Sequence, residues 1–232
     1  MQTPSRAAPH LTLGMLTVLA LAAIVLSLDT APPNAEQQLR LSAKNTVAAQ
    51  SFVLHDTITV VPTSGASASQ AGTETADVVY RAPDQVRERV SFNGRTLTVL
   101  ALGSARYEQS GSGSWVALGN QPGSLPAGSQ AAAGVLGPFE ALSTATQVVH
   151  RGDVYRFEPA TGQLSALLGE LLGSQGAQLP AGAATFVVTL SGEYVHTFDV
   201  AATVPGGRVL VHLALGSYDH APALEPPPLG SR

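Results

Sequence analysis

Apolar and polar residues alternate in two regions of the chain, residues 51–118 and 184–215, and a period of two is typical of β-strands with one buried face. The alternation is clearest in residues 79–116, where turn-forming residues separate short apolar runs. Asn93-Gly94 is the sharpest turn signal, because both central residues of a type I′ hairpin turn need a positive φ angle. This stretch predicts a meander of antiparallel strands that forms one wall of a curved, half-open sheet with an apolar concave side.

The same period predicts strands on both sides of the meander, at residues 51–61, 73–81, 148–150, 154–158, 184–190, 193–200 and 208–215. Residues 119–137 show no period and are expected to form a long loop, after which Pro138 would begin a short helix. Helical spacing predicts one helix over residues 36–50 and another after Thr161. The expected fold is therefore α+β: a strongly curved antiparallel sheet, forming a half-open β-barrel, with an α-helical lid.

Residues 11–28 contain no charged side chain, and as a helix these eighteen residues would span about 27 Å, close to the thickness of a bilayer's hydrocarbon core. Arg6 precedes the run and Asp29 ends it, which predicts a cytoplasmic N-terminus and an extracytoplasmic remainder. Two interpretations stay open: a retained signal anchor, or a signal peptide cleaved near Ala31 or Ala35.

The expected organisation is a cytoplasmic N-terminus at residues 1–10, the signal-anchor or signal-peptide helix at 11–28, a linker at 29–35, the folded domain at 36–222 and a Pro-rich tail at 223–232. The domain is thus expected in the periplasm or cell envelope, either anchored to the cytoplasmic membrane or secreted after cleavage.

Composition narrows the possible functions. With 232 residues, of which 44% are hydrophobic and 12% charged, the chain suits one domain with a terminal appendage. The net charge of −4 leaves no extended basic face for a nucleic-acid backbone, which argues against nucleic acid as a partner. The sequence has no cysteine, which excludes disulfides, thiol catalysis, cysteine-ligated zinc and lipid attachment through cysteine.

Motifs for catalysis or metal binding are missing from the sequence: it contains no G-x-S-x-G, no H-E-x-x-H and no P-loop. His196 and His212 lie on consecutive expected strands and could meet across them. Two histidines without a third ligand more often form a surface pair. We therefore predict no enzyme activity, no metal and no cofactor.

Charged residues in the meander raise a question of register. Arg87 and Arg89 are expected on the outer face of the sheet, as solvated side chains or as a charged recognition patch. Glu88 shares the face of Val86 and Val90, so it lies either at the rim of a cavity or in a strand whose register is misassigned.

The chain offers many Val and Leu residues at alternate positions but only six Phe and one Trp. A curved sheet covered by helices can enclose more space than such side chains fill, and an apolar cavity accepts apolar ligands. The alternative is that the same residues pack on one another. The candidate lining residues are Phe52, Leu54, Ile58, Val78, Tyr80, Val90, Phe92, Leu97, Phe186, Val188, Phe198 and Val211, with Leu167 and Leu171 beneath the lid.

Short motifs in both halves resemble the LolA/LppX/LprG-like superfamily of bacterial lipoprotein and lipid carriers. They are Tyr80-x-x-Pro83-Asp84-x-x-Arg87, Phe92-Asn93-Gly94, Leu102-Gly103-x-x-x-Tyr107 with Trp115, and the closing residues 213–227. The resemblance implies a half-open antiparallel barrel with a helical lid and non-covalent binding of acyl chains or lipoproteins. The chain departs from the lipidated members, which carry a cysteine after the signal. Any anchoring must therefore come from residues 11–28.

These observations favour a membrane-tethered or secreted extracytoplasmic protein that binds lipid or acyl chains in a hydrophobic cavity, as a non-catalytic carrier or chaperone. The alternative is a sensor or regulatory module of the cell envelope that has the same fold and binds a protein partner in the membrane.

Overall fold

The computed structural model describes residues 33–62, 72–119, 125–158, 184–204 and 207–229. Within these ranges, no helix is both long and apolar enough to cross a membrane. The described helices and strands all belong to one compact unit, Ala35–Arg232.

Two of the expected helices fall outside the described residues: the hydrophobic run at residues 11–28 and the helix after Thr161, which carries Leu167 and Leu171.

Eleven strands of the described residues form a single antiparallel sheet, as the alternation predicted. Their bounds are β1 Ser51–Pro62, β2 Gly72–Arg81, β3 Gln85–Phe92, β4 Arg95–Leu102, β5 Ala105–Ser110, β6 Val116–Leu118, β7 Thr146–Arg151, β8 Val154–Glu158, β9 Ala184–Ser191, β10 Tyr194–Val204 and β11 Gly207–Gly216. The spatial order is β6-β5-β4-β3-β2-β1-β11-β10-β9-β8-β7. The first and last strands therefore pair near the middle, and β6 and β7 form the two edges.

Two helices in the described residues pack against this sheet: α1, Ala35–Ala48, and α2, Ala127–Leu142. Helix α1 contacts β7 and β10, helix α2 contacts β3, β4 and β5, and the helices contact each other. Leu39 of α1 and Phe139 of α2 are fully buried in the same core as the inner face of the sheet. The fold is therefore α+β, as expected, with an antiparallel sheet and its described helices contributing to one core.

Helix α2 corrects the expectation of a long loop at residues 119–137. Pro138 lies inside this helix and not at its first position. Glycine and proline lower the helix propensity of the segment, so a helix is not predicted there from the sequence. Packing of buried Ala132, Phe139 and Leu142 against the sheet supplies the stability that propensity lacks.

Gly128 shows why the start of α2 needs a glycine. A Cβ at this position would lie 1.9 Å from the carbonyl oxygen of Asp84, and the Gly128 N–H donates a hydrogen bond of 2.7 Å to the Gly103 carbonyl. The backbone of the helix is thus in direct contact with the backbone of two turns of the meander. A residue larger than glycine at position 128 would prevent this close approach.

The register of the meander agrees with the sequence analysis. Asn93 and Gly94 have φ angles of 50° and 74°, which confirms the predicted left-handed conformation of both turn residues. Glu88 lies opposite Val78 on β2 and Val99 on β4, and therefore faces inward. Successive residues point to opposite faces, so Arg87 and Arg89 face outward.

The extended segment after β11, residues 217–229, returns to the outer side of the sheet, and we call it the C-terminal strap. Its Asp219 N–H donates to the Ser51 carbonyl at 2.8 Å, and the guanidinium of Arg81 donates to the Ala221 carbonyl at 2.6 Å. Leu229, near the end of the strap, forms a parallel bridge with Trp115. The strap is therefore attached at both of its ends.

Candidate functional site

The inner face of β8–β11 is filled by its own side chains. The rings of Phe157, Phe186 and Phe198 lie with centroids 5.3 to 6.4 Å apart, and all three are buried. Val188 and Val211 beside them are also buried. We call this the aromatic half of the inner face, and its dense packing identifies it as core.

The inner face of β1–β5 differs, and we call it the hollow half. Here α2 and the sheet border a partly open cavity of about 300 Å³, the inner cavity. Its walls combine sheet residues with one side of α2: Leu54, Asp56, Ala76, Val78, Val86, Glu88, Ala131, Gly134, Val135, Pro138 and Leu213. Most of these side chains are small and apolar, so they leave space between helix and sheet.

An apolar groove of about 690 Å³ lies further along the same strands, lined mainly by residues of β3, β4 and the turn between them. Val90, Phe92 and Leu97 supply its apolar surface, and Phe92 and Leu97 are 44% and 39% exposed. Val90 follows Glu88 on the inner face of β3, so the groove begins one inward-facing position beyond the inner cavity. Exposed apolar side chains grouped next to a cavity are typical of a ligand-binding surface.

Two carboxyl groups interrupt the apolar wall of the inner cavity. Burial, together with the nearby carboxylates of Glu74 and Glu88, raises the pKa of Asp56 to about 6, while His212 and a backbone hydrogen bond from Thr57 oppose the shift. Burial also raises the pKa of Glu88, as does Glu74, whereas Arg106 opposes the shift. One carboxyl oxygen of Asp56, Oδ1, is buried and has no hydrogen-bond partner among the described residues.

The consequence is a wall whose charge depends on pH. The carboxyl group of Asp56, which lines the cavity, changes from a neutral acid to a carboxylate as the pH rises through about 6. A neutral acid is far easier to bury beside an apolar ligand than an ionised one.

The candidate lining residues separate into four groups. Leu54, Val78, Val90, Phe92 and Leu97 line the inner cavity or the groove. The buried candidates that line neither space are Phe52, Tyr80, Phe186, Val188, Phe198 and Val211. Ile58 is half-buried and packs against the core, and Leu167 and Leu171 lie outside the described residues.

Sequence reasoning missed two parts of the cavity wall. Three lining residues of α2, Ala131, Gly134 and Val135, fell in the segment expected to be a loop. Asp56 was not among the candidate residues, although it shares the inner-face alternation of Leu54 and Ile58. Its position in that alternation is the signal that could have identified it.

The histidines do not form the pair considered above. His212 Nδ1 lies 2.6 Å from Asp199 Oδ1, whereas His196 Nδ1 lies 3.1 Å from the Leu215 carbonyl oxygen. In the register of β10 and β11, His212 lies opposite Asp199, three residues away from His196 along β10. In the part of the chain that the structure describes, no three His, Cys, Asp or Glu side chains are grouped as metal ligands.

Fold and site together define an antiparallel α+β protein with a partly hollow inner face. No protein-family model matches the sequence, and no curated protein matches it.

Two solved structures are similar to the chain, each over 82% of this chain and 94% of its own length. A DUF1329 family protein from Desulfovibrio piger has 8% sequence identity and a TM-score of 0.33. A LolA superfamily protein from Nitrosomonas europaea has 10% identity and a TM-score of 0.33. The second bears the superfamily name to which the sequence motifs pointed. Because both similarities are remote, the site is interpreted from the residues of this chain.

Proposed function

We propose that the protein binds the acyl chains of lipids or lipoproteins in the hollow half of its inner face, as a non-catalytic carrier or chaperone. It would act outside the cytoplasmic membrane, tethered by residues 11–28 or released after their cleavage. The observation that supports this proposal best is the exposed apolar surface of Val90, Phe92 and Leu97, which begins one inward-facing position beyond the inner cavity.

The size and chemistry of the hollow half suit an acyl chain. The cavity and the groove, about 300 Å³ and 690 Å³, fall within the range of roughly 300 to 1,000 Å³ usual for ligand pockets. Burial of ten methylene groups would contribute roughly 8 kcal/mol before the entropic cost of binding is subtracted.

The two carboxyls give the ligand an orientation. Asp56 and Glu88 disfavour an anionic group beside them, so the tail of the ligand and not a phosphate or carboxylate end would enter the inner cavity. The polar end of the ligand would then stay in the exposed groove or in solvent.

Photo-crosslinking in cells tests the proposal with the full chain. Cells producing the protein are supplied with a fatty acid that carries a diazirine group on its tail, and are then irradiated. The tryptic peptides of the protein are analysed by mass spectrometry. We expect adducts on peptides 90–95 and 96–106, which contain Val90, Phe92 and Leu97.

Gly134→Leu supplies the matched variant. A Cβ at Gly134 would meet no atom within 4 Å, and Gly134 lines the inner cavity, so we expect a leucine side chain there to fill part of the cavity. We expect loss of most inner-face adducts in this variant. Ala133→Leu, on the exposed side of the same helix, should leave them unchanged. Adducts confined to residues 11–28, or equal in both variants, would contradict acyl binding at this site.

A further inference from the structure

The outer face of the sheet contains a second cleft, which we call the outer groove. It has a volume of about 790 Å³ and lies opposite the inner face. Its floor is the sheet, with Val53, Val79 and Thr98 among the floor residues. Two residues outside the floor also line it: Trp115, which precedes β6, and Pro222 of the C-terminal strap. The strap therefore helps to turn a flat sheet surface into a concave one.

Arg87 and Arg89 give this groove its charge. Both are exposed and share the outer face of β3, with their backbone positions about 7 Å apart along the strand. Neither guanidinium group forms a hydrogen bond or an ion pair with another described residue. Asp77 lies opposite Arg89 in the register, but its Oδ1 is 2.6 Å from His55 Nδ1 and it makes no ion pair with the arginine.

Two cations side by side repel each other, and a bound anion would remove that repulsion. The guanidinium group presents several N–H donors in a planar fork and binds phosphate or carboxylate oxygens through paired hydrogen bonds. Two such groups match one phosphate, which offers more acceptor oxygens than a carboxylate. They are too few for the backbone of a nucleic acid.

The rest of the groove offers contacts for the group that carries the phosphate. Trp115 contributes an aromatic surface, and Thr98 contributes a hydroxyl in a floor where it is 8% exposed. In such a cleft the charged donors bind one end of a small ligand and the aromatic side chain packs against the other, so the orientation of the ligand is defined.

We propose that the outer groove binds a phosphate-bearing ligand, with Arg87 and Arg89 holding the phosphate and Trp115 contacting the group attached to it. The phosphate could belong to a soluble phosphate ester or to a phospholipid headgroup. This site is separate from the inner cavity and does not depend on the function proposed for that cavity.

Trp115 makes the proposal directly measurable, because it is the one tryptophan of the chain and lines the groove. The full chain in neutral detergent micelles is titrated with inorganic phosphate, glycerol 3-phosphate or dihexanoyl phosphatidic acid, while tryptophan fluorescence is recorded. Sodium chloride of equal ionic strength serves as the blank. We expect a saturable change in fluorescence with at least one of the three phosphates and no saturable change with chloride.

The double variant Arg87→Gln/Arg89→Gln should weaken binding by about tenfold or more, because both guanidinium forks are lost. Arg208→Gln removes an exposed arginine outside the groove and should keep the wild-type affinity. Circular dichroism first establishes that both variants fold like the wild type.

The three titrants distinguish the sources of the phosphate. Equal affinity for glycerol 3-phosphate and phosphatidic acid identifies a soluble ester, whereas tighter binding of phosphatidic acid identifies a lipid headgroup. Either result supports the site. The proposal is overturned if no phosphate changes the fluorescence, if chloride has an equal effect, or if the double variant binds like the wild type.

Discussion

The two halves of the inner face lie on the same side of one sheet but differ in packing: the aromatic half is core, whereas the hollow half has open space beside its packed side chains. In the aromatic half, Phe157, Phe186 and Phe198 are each at most 5% exposed and contact one another. In the hollow half, Phe92 is 44% exposed and a cavity remains beneath α2. The same alternation of apolar residues therefore produces core in one half and accessible apolar surface in the other.

The distribution of large side chains explains the difference. Five of the six phenylalanines are buried. Three of them cluster on β8, β9 and β10, and the other two, Phe52 of β1 and Phe139 of α2, pack edge-to-face on each other. The hollow half has Ala76, Ala131, Gly134 and Val135 around its cavity. Small residues on both the helix and the sheet leave a volume that neither side fills. This contrast is what we would expect if one half provides stability and the other binds a ligand.

Removal of one phenylalanine from each half should give the largest difference. Phe186→Ala leaves a large void among packed rings, and we expect it to lower the free energy of unfolding by about 3 to 5 kcal/mol. Phe92→Ala shortens an exposed side chain and should cost about 1 kcal/mol or less. Urea denaturation of the two variants and the wild type measures both values. Similar losses in the two variants would mean that the halves do not differ in packing.

The second prediction concerns the carboxyl of Asp56. Its pKa is about 6 in the folded chain and 3.8 when unperturbed, so folding favours the protonated form. The stability that this group contributes is present below a pH of about 4 and is lost as the pH rises through about 6. Asp56→Asn mimics the neutral acid. It should stabilise the protein by up to roughly 3 kcal/mol above pH 7, and by little near pH 3.5.

Urea denaturation at these two pH values checks the prediction. Glu88→Gln gives an independent check, because it removes one of the carboxylates that raise the pKa of Asp56. The pKa of Asp56, followed by NMR of its carboxyl carbon, should fall in that variant. Equal effects of Asp56→Asn at both pH values would show that the carboxyl is not buried as described.

The sheet could be predicted from the sequence because its signals are local. Alternation placed the strands, and Asn93-Gly94 fixed the turn and the register between β3 and β4. For Glu88 the sequence left two alternatives, the rim of a cavity or a misassigned register, and the observed register places it on the inner face. Each of these features depends on residues close to one another in the chain.

The boundary between core and cavity could not be predicted in the same way. Alternation shows that Phe186 and Leu97 both face inward, but only the packing of distant elements makes one buried and leaves the other 39% exposed. Helix α2 was missed because its glycines and Pro138 obscure the helical pattern. The outer groove was missed because it needs the strap, whose contact with Trp115 joins residues far apart in the sequence.

The smallest predicted effects come from adding atoms to each half. Val188 is fully buried in the aromatic half, so Val188→Leu should destabilise the protein by about 1 to 3 kcal/mol through overpacking. Gly134→Leu should instead stabilise it by about 1 kcal/mol, because leucine is the better helix former and its Cβ meets open space. Thermal unfolding followed by circular dichroism measures both changes.

The same pair also separates loss of binding from loss of folding. If Gly134→Leu is more stable than the wild type yet loses its acyl adducts, the cavity itself has been blocked. If it destabilises the protein as Val188→Leu should, the space beneath α2 is not open, and the contrast between the two halves does not hold.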